Sequence, residues 1–379
     1  MLGGVVLLAL LLAWRIWPER PQGASLYQPR VQDIAVTQSN GAGLLLPLHP
    51  PGANATPSAH RRLESRTKVP NCDAEQRREF ANWVARQPPA ATPDADIAQA
   101  LMRELADREL SHHELFGRLT LRWPHDVAAA WVSWEHCPRA RGCDQLARAR
   151  HLVVVDGNNG AAWLALMDSA LHVRDEATQE YALARAARSP VFDMRRGGTY
   201  TRLYAILLEL PPSPRCWPHI ANQSQEISGE PMTPAEYADL AAHGSELAVA
   251  IPGYGLREAC TDGEGHRLAP SRRMDCISVL ARLADQPTIS DQLRALRLLI
   301  PLLGRSETSR FRQEQYRQLL WLLRKMPFVR FPLGSGARIW AQGEVDFFQS
   351  QLLEQGLWPP PPDWLPADED SRKLILDAR

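Results

Sequence analysis

Net charge is what this chain most plainly lacks. Its 43 lysines and arginines are matched by 43 aspartates and glutamates, so no long-range field draws it toward nucleic acid or an acidic bilayer. Lysine itself is scarce: Lys68, Lys325 and Lys373 are the only ones, and arginine supplies the remaining cationic charge. A phosphate loop and a dinucleotide fingerprint are both missing. The one zincin-like triplet, His112-His113-Glu114, has Gly117 where the second histidine would have to stand. No stretch alternates with period two and β-branched residues, so no sheet is expected.

What is present begins at the N-terminus. Leu2–Trp14 is apolar throughout, Arg15 interrupts, and Ile16 and Trp17 close the run before Pro18. A helix over Leu2–Trp17 would reach about 24 Å, somewhat short of a bilayer core of roughly 30 Å. Arg15 can snorkel to the headgroups, and Trp14 and Trp17 suit an aromatic belt. An uncleaved anchor is therefore expected. A cleaved signal, which has only the poor Gln22-Gly23-Ala24 site, and a soluble N-terminal helix are the alternatives.

Topology is read two ways. Arg15, Arg20 and Arg30 all follow the apolar run, which the positive-inside rule assigns to a cytoplasmic body. The cysteines argue the reverse: Cys72, Cys137, Cys143, Cys216, Cys260 and Cys276 are even in number and fall outside the strongest helical patterns. Cys137 with Cys143, and Cys260 with Cys276, are the best disulfide candidates, which leaves Cys72 for Cys216 by elimination; free thiols are the alternative. An arginine- and alanine-rich composition looks like that of a GC-rich bacterial genome. The expectation is a single-pass protein of the bacterial inner membrane with its body in the periplasm.

Residues 18–70 read as a proline-rich disordered linker without apolar periodicity, spanning roughly 40 Å as a coil. From Asn71 onward the pattern is helical. Thr92 with Pro93, Thr233-Pro234-Ala235-Glu236, Thr288 with Asp291, and Ser306 all mark helix starts. Eight helices are expected up to Leu210: Asp73–Arg86, Ala95–Leu110, His112–Arg122, Ala128–His136, Asp144–Val154, Ala161–Arg174, Glu176–Arg188 and Thr199–Leu210. The chain then divides into helical hairpins over 71–210, a proline-rich connection over 211–232, a second helical section over 233–358 and a tail over 359–379. The fold class is all-α.

An internal repeat suggests how the helices are arranged. His125-Asp-Val-Ala-Ala-Ala-Trp131-Val-Ser-Trp134 matches Gly157-Asn-Asn-Gly-Ala-Ala-Trp163-Leu-Ala-Leu166 at an offset of 32 residues, a period that suits stacked helix–turn–helix hairpins. Over about 50 residues, Cys143–Pro190, the chain resembles the tetratricopeptide-repeat family. Asp156-Gly157-Asn158-Asn159 stands where that family has Asp-Pro-Asn-Asn, and Trp163, Leu166, Ala170, Leu183 and Ala186 take its apolar and small positions. Gly157, Met167 and Gln179 depart from the pattern. The resemblance implies a degenerate α-solenoid presenting a concave surface to a protein or peptide partner, with no chemistry of its own.

The remaining constellations are weak. His136-Cys137 with Cys143 offers three soft ligands where a structural zinc site needs four. Gly334-Ser335-Gly336 and Pro252-Gly253-Tyr254-Gly255 read as helix-connecting turns, not nucleophile elbows. Trp83, Trp131, Trp134 and Trp163 fall on expected inner faces, while Trp358 and Trp364 flank Pro359-Pro-Pro-Pro362, which either packs back on the last helix or docks in a partner. A membrane-tethered binding scaffold without cofactor or metal is thus expected. The rival is a hydrolase-type enzyme with a site around His243, Glu246, Asp262, Glu264 and His266.

Overall fold

Helix starts follow the capping residues closely in the structure, a computed structural model that describes residues 71–107, 112–137, 143–228, 231–261, 268–326 and 334–376. The expected anchor at Leu2–Trp17 and the linker over 18–70 lie outside these residues. Within them no helix is long and apolar enough to cross a membrane.

Seventeen α-helices account for the described fold, which contains no strand beyond an isolated bridge between Asn159 and Val191. The first eight are α1 (Cys72–Arg86), α2 (Pro93–Ala106), α3 (His112–Arg122), α4 (Val127–Glu135), α5 (Gln145–Val155), α6 (Gly160–His172), α7 (Glu176–Arg188) and α8 (Gly198–Glu209). Then come α9 (Trp217–Ser228), α10 (Pro234–Leu247), the short α11 (Leu256–Cys260), α12 (Pro270–Leu283), α13 (Ile289–Leu303) and α14 (Glu307–Lys325). The chain closes with α15 (Gly336–Gln342), α16 (Glu344–Glu354) and α17 (Glu369–Leu376).

Local chemistry explains where the helices begin. Thr92 Oγ1 accepts from Ala95 N, with Pro93 in the first turn of α2, where a missing N–H costs nothing. Thr233 and Glu236 form a reciprocal capping box ahead of α10. Asp126, Asp144, Asn159 and Asp175 cap α4 to α7, each side chain accepting a backbone N–H of the first turn. Two of the proline-rich segments carry helices. The connection over 211–232 includes α9, which tolerates Pro218 in its first turn. The tail over 359–379 contains α17.

Helices α1 to α7 each pack against the next, and α7 then meets α12, which continues through α13 to α14. By contrast α8 turns back onto α2 and α10. Two apolar cores result. The larger joins Trp131, Trp134, Leu164 and Met167 to Leu256, Val279, Leu296, Tyr316 and Phe347. The smaller joins Ile97, Leu101 and Phe116 to Tyr200, Leu203, Ala238 and Ala242. Helices on both sides of residues 211–232 feed each core, so the two helical sections share their interiors. Each fully buried large side chain contributes about 1.5–3 kcal/mol of transfer free energy.

All six cysteines are paired: Cys72–Cys216, Cys137–Cys143 and Cys260–Cys276. The tail folds onto α14 rather than onto α16. Trp321 Nε1 donates to Leu357 O at 2.8 Å, and Arg317 Nη1 donates to Pro361 O at 2.8 Å and to Trp364 O at 3.3 Å.

Candidate functional site

The repeat region supplies a turn, not a site. Asp156 Oδ2 accepts from Trp131 Nε1 at 2.8 Å and from Asn159 Nδ2 at 2.9 Å, while Asn159 also bonds both backbone groups of Asp193. A Cβ on Gly157 would lie 2.5 Å from Val153 O, so the glycine is sterically required there.

Buried carboxylates hold three other turns from a distance. Asp168 on α6 accepts from the backbone N–H groups of Gly253, Tyr254 and Gly255 at 2.6, 3.0 and 2.8 Å. It therefore fixes the Pro252–Gly255 turn at the start of α11. Glu246 on α10 accepts from Gly197 N and Tyr200 N, capping α8, which has no side-chain cap of its own. Asp239 accepts from Tyr200 Oη at 2.6 Å and from Gly336 N at 3.1 Å, tying α15 to α10. These are structural uses of charge: each carboxylate satisfies orphan donors at a helix start.

Several residues singled out in the sequence have structural contacts of this kind. Glu246 is committed to capping, and His243 is half-buried beside Trp340, ring centroids 5.5 Å apart, with desolvation lowering its pKa. Neither lines the two main clefts. Asp262, Glu264 and His266 lie outside the described residues. Cys137 and Cys143 are consumed by their disulfide, and His136 stacks on Phe116 with Nδ1 3.2 Å from Glu104. Gly334-Ser335-Gly336 leads into α15. His112-His113-Glu114 open α3. Among the described residues no cluster of histidine, cysteine and carboxylate side chains is arranged to hold a metal ion.

Two clefts remain. The first, about 430 Å³, lies between the α1–α2 connection, α2 and α3. Its polar lining is Gln87, Asp96, Gln99, Arg103, Arg118 and Arg122, beside apolar residues that include Leu115 and Leu119. Arg122 is engaged, donating to Asp96 Oδ2 at 3.1 Å and to Ala90 O, and Trp123 Nε1 donates to the same Asp96 oxygen at 2.9 Å. Arg103 and Arg118 are exposed, and among the described residues no carboxylate pairs with either.

The second cleft, about 270 Å³, is lined by Trp134 and Glu135 from α4, Gln145 from α5, Asp168 and His172 from α6, and the Ala248–Tyr254 stretch. Burial, reinforced by Glu246, pushes the Glu135 carboxyl up to about 8, with Arg196 and Arg202 opposing. Burial also pushes Asp168 up to about 6 despite its three N–H donors and Arg294. Sequence reasoning missed both groups, since each reads as an ordinary polar residue at the edge or interior of an apolar helix.

No family model, curated protein or solved structure matches this chain.

Proposed function

We propose that this chain is a non-catalytic, membrane-tethered scaffold of tetratricopeptide-like helical hairpins that binds an acidic segment of a protein or peptide partner. The observation that carries the reading is the cleft between α2 and α3, where Arg103 and Arg118, paired with no carboxylate among the described residues, share the lining with the apolar Leu115 and Leu119. Guanidinium groups engage carboxylates in bidentate fashion, and an adjacent apolar floor adds contact area for side chains between the acids.

The three disulfides support a body on the oxidising, periplasmic side of a bacterial inner membrane. The apolar Leu2–Trp17 run supports the tether. The sequential packing of α1 to α7 agrees with stacked hairpins.

The decisive experiment is crosslinked affinity capture from intact cells, comparing the native chain with an R103E/R118E variant. A partner enriched on the native chain and lost on the variant, with the circular dichroism unchanged, is the expected result. Equal capture by both, or no partner on either, overturns the reading. A C-terminal reporter active on only one side of the membrane tests the topology separately.

A further inference from the structure

The second cleft contains a carboxyl that the fold does not use. Glu135 ends α4 and is only 8% exposed, yet among the described residues nothing hydrogen-bonds to its side chain. Its backbone carbonyl accepts from Ala250 N at 3.1 Å, which seats the helix end against the cleft wall and leaves the carboxyl alone. The acids around it differ: Asp168, Glu246 and Asp239 all accept backbone N–H groups. A buried acid without a partner is costly, and such groups persist where a ligand supplies what is missing.

The remaining lining narrows the chemistry. Asp168 adds a second carboxyl, Gln145 a carboxamide, and Tyr254, 62% exposed, an aromatic face. Among the described residues no lysine or arginine lines the cleft. From this lining an anion would meet two acids, Glu135 and Asp168, and no fixed cation. The Tyr254 ring already carries a cation on one face, Arg294 at 5.2 Å from its centroid. Glu246 on α10, Arg196 ahead of α8 and Arg202 on α8 act on Glu135 from outside, and His172 shares the cleft with it.

We propose that this cleft binds an organic cation of side-chain size, an alkylammonium or guanidinium group, with its charge on Glu135 and its stem along Tyr254 and Ile251. Burial keeps Glu135 protonated at neutral pH, so uptake is an exchange: the carboxylic acid gives its proton to solvent and the resulting carboxylate pairs with the incoming cation. A free amine and a lysine side chain of a partner share this chemistry. Arg103 and Arg118 belong to the other cleft, so this site stands or falls independently of partner capture there.

Calorimetric titration of the full-length chain with n-butylammonium, in two buffers of different ionisation enthalpy, tests the assignment. Binding is expected to release close to one proton per site at neutral pH. E135Q should weaken it by about tenfold or more and abolish the release, and Y254A should weaken it by about threefold. Tighter binding of Nα-acetyl-lysine methylamide than of butylammonium assigns the natural source to a lysine side chain; the reverse order assigns a free amine. Absence of binding, proton-neutral binding to the native chain, or undiminished affinity in E135Q overturns the proposal. Tyr254 is exposed, so Y254A keeps the test valid if E135Q fails to fold.

Discussion

The indole Nε1 of Trp131 donates to Asp156 Oδ2 at 2.8 Å, joining the helix of the first sequence copy to the turn that opens the second. Trp131 is buried, and the acceptor is a carboxylate, so the bond is of the stronger, charge-assisted kind. In a double-mutant cycle of Trp131→Phe and Asp156→Ala, a coupling energy of about 1.5–3 kcal/mol is expected from urea unfolding. Asp156→Ala alone should cost more than Trp131→Phe, because Asp156 also receives Asn159 Nδ2 and lies 3.5 Å from Arg195.

Glu135 makes stability depend on pH in an unusual direction. Its carboxyl is raised in the fold from an ordinary 4.5 to about 8, so the native state binds a proton more tightly than the unfolded chain. Stability is fully present below the ordinary value and falls as pH rises through about 8. E135Q cannot lose that proton. It should flatten the alkaline limb and exceed the native chain in stability at pH 9 by on the order of 3 kcal/mol. Thermal unfolding from pH 5 to 9 checks this, and parallel curves for the two proteins would refute it.

The Cys72–Cys216 disulfide closes 144 residues and links α1 to the entrance of α9. In the chain-entropy picture a loop of that length is worth about 5 kcal/mol. A C72S/C216S variant should lose most of that in guanidinium unfolding. Removal of Cys260–Cys276, which spans 16 residues, should cost about 3 kcal/mol.

Gly157 is required for space, not for backbone freedom. An alanine Cβ would press on the Val153 carbonyl, which belongs to α5 and cannot rotate away. Gly157→Ala should destabilise by about 1–3 kcal/mol, with proline worse because its ring adds bulk at the same point. A shift of less than a degree in melting temperature would contradict this.

Helix starts were legible wherever a side chain caps its own helix, as at Thr92, Thr233, Thr288 and Ser306. The expected Thr199–Leu210 lies within a residue of α8 at each end, yet no local cap marks its start. Its cap, Glu246, lies 49 residues away from Gly197, a distance that no local motif reports. Helix α9 was hidden by prolines that read as breaks but occupy its connection and first turn. The indispensable distant partners of Asp168 and the isolation of Glu135 arise only when α4, α6 and the Pro252–Gly255 turn meet. Composition and spacing carry no record of that encounter.

The proline-rich tail lies on Trp321 and under the guanidinium of Arg317. Trp321 and Trp364 face each other edge to ring at 5.0 Å. A segment of the type that recruits aromatic grooves in other molecules is thus already occupied by its own chain. An outside protein seeking the Pro361 and Trp364 carbonyls must outcompete Arg317, an intramolecular rival whose effective concentration is set by a tether of a few dozen residues. The rings of Pro359, Pro361 and Pro362 stay open to such a stranger while part of their backbone is already spoken for.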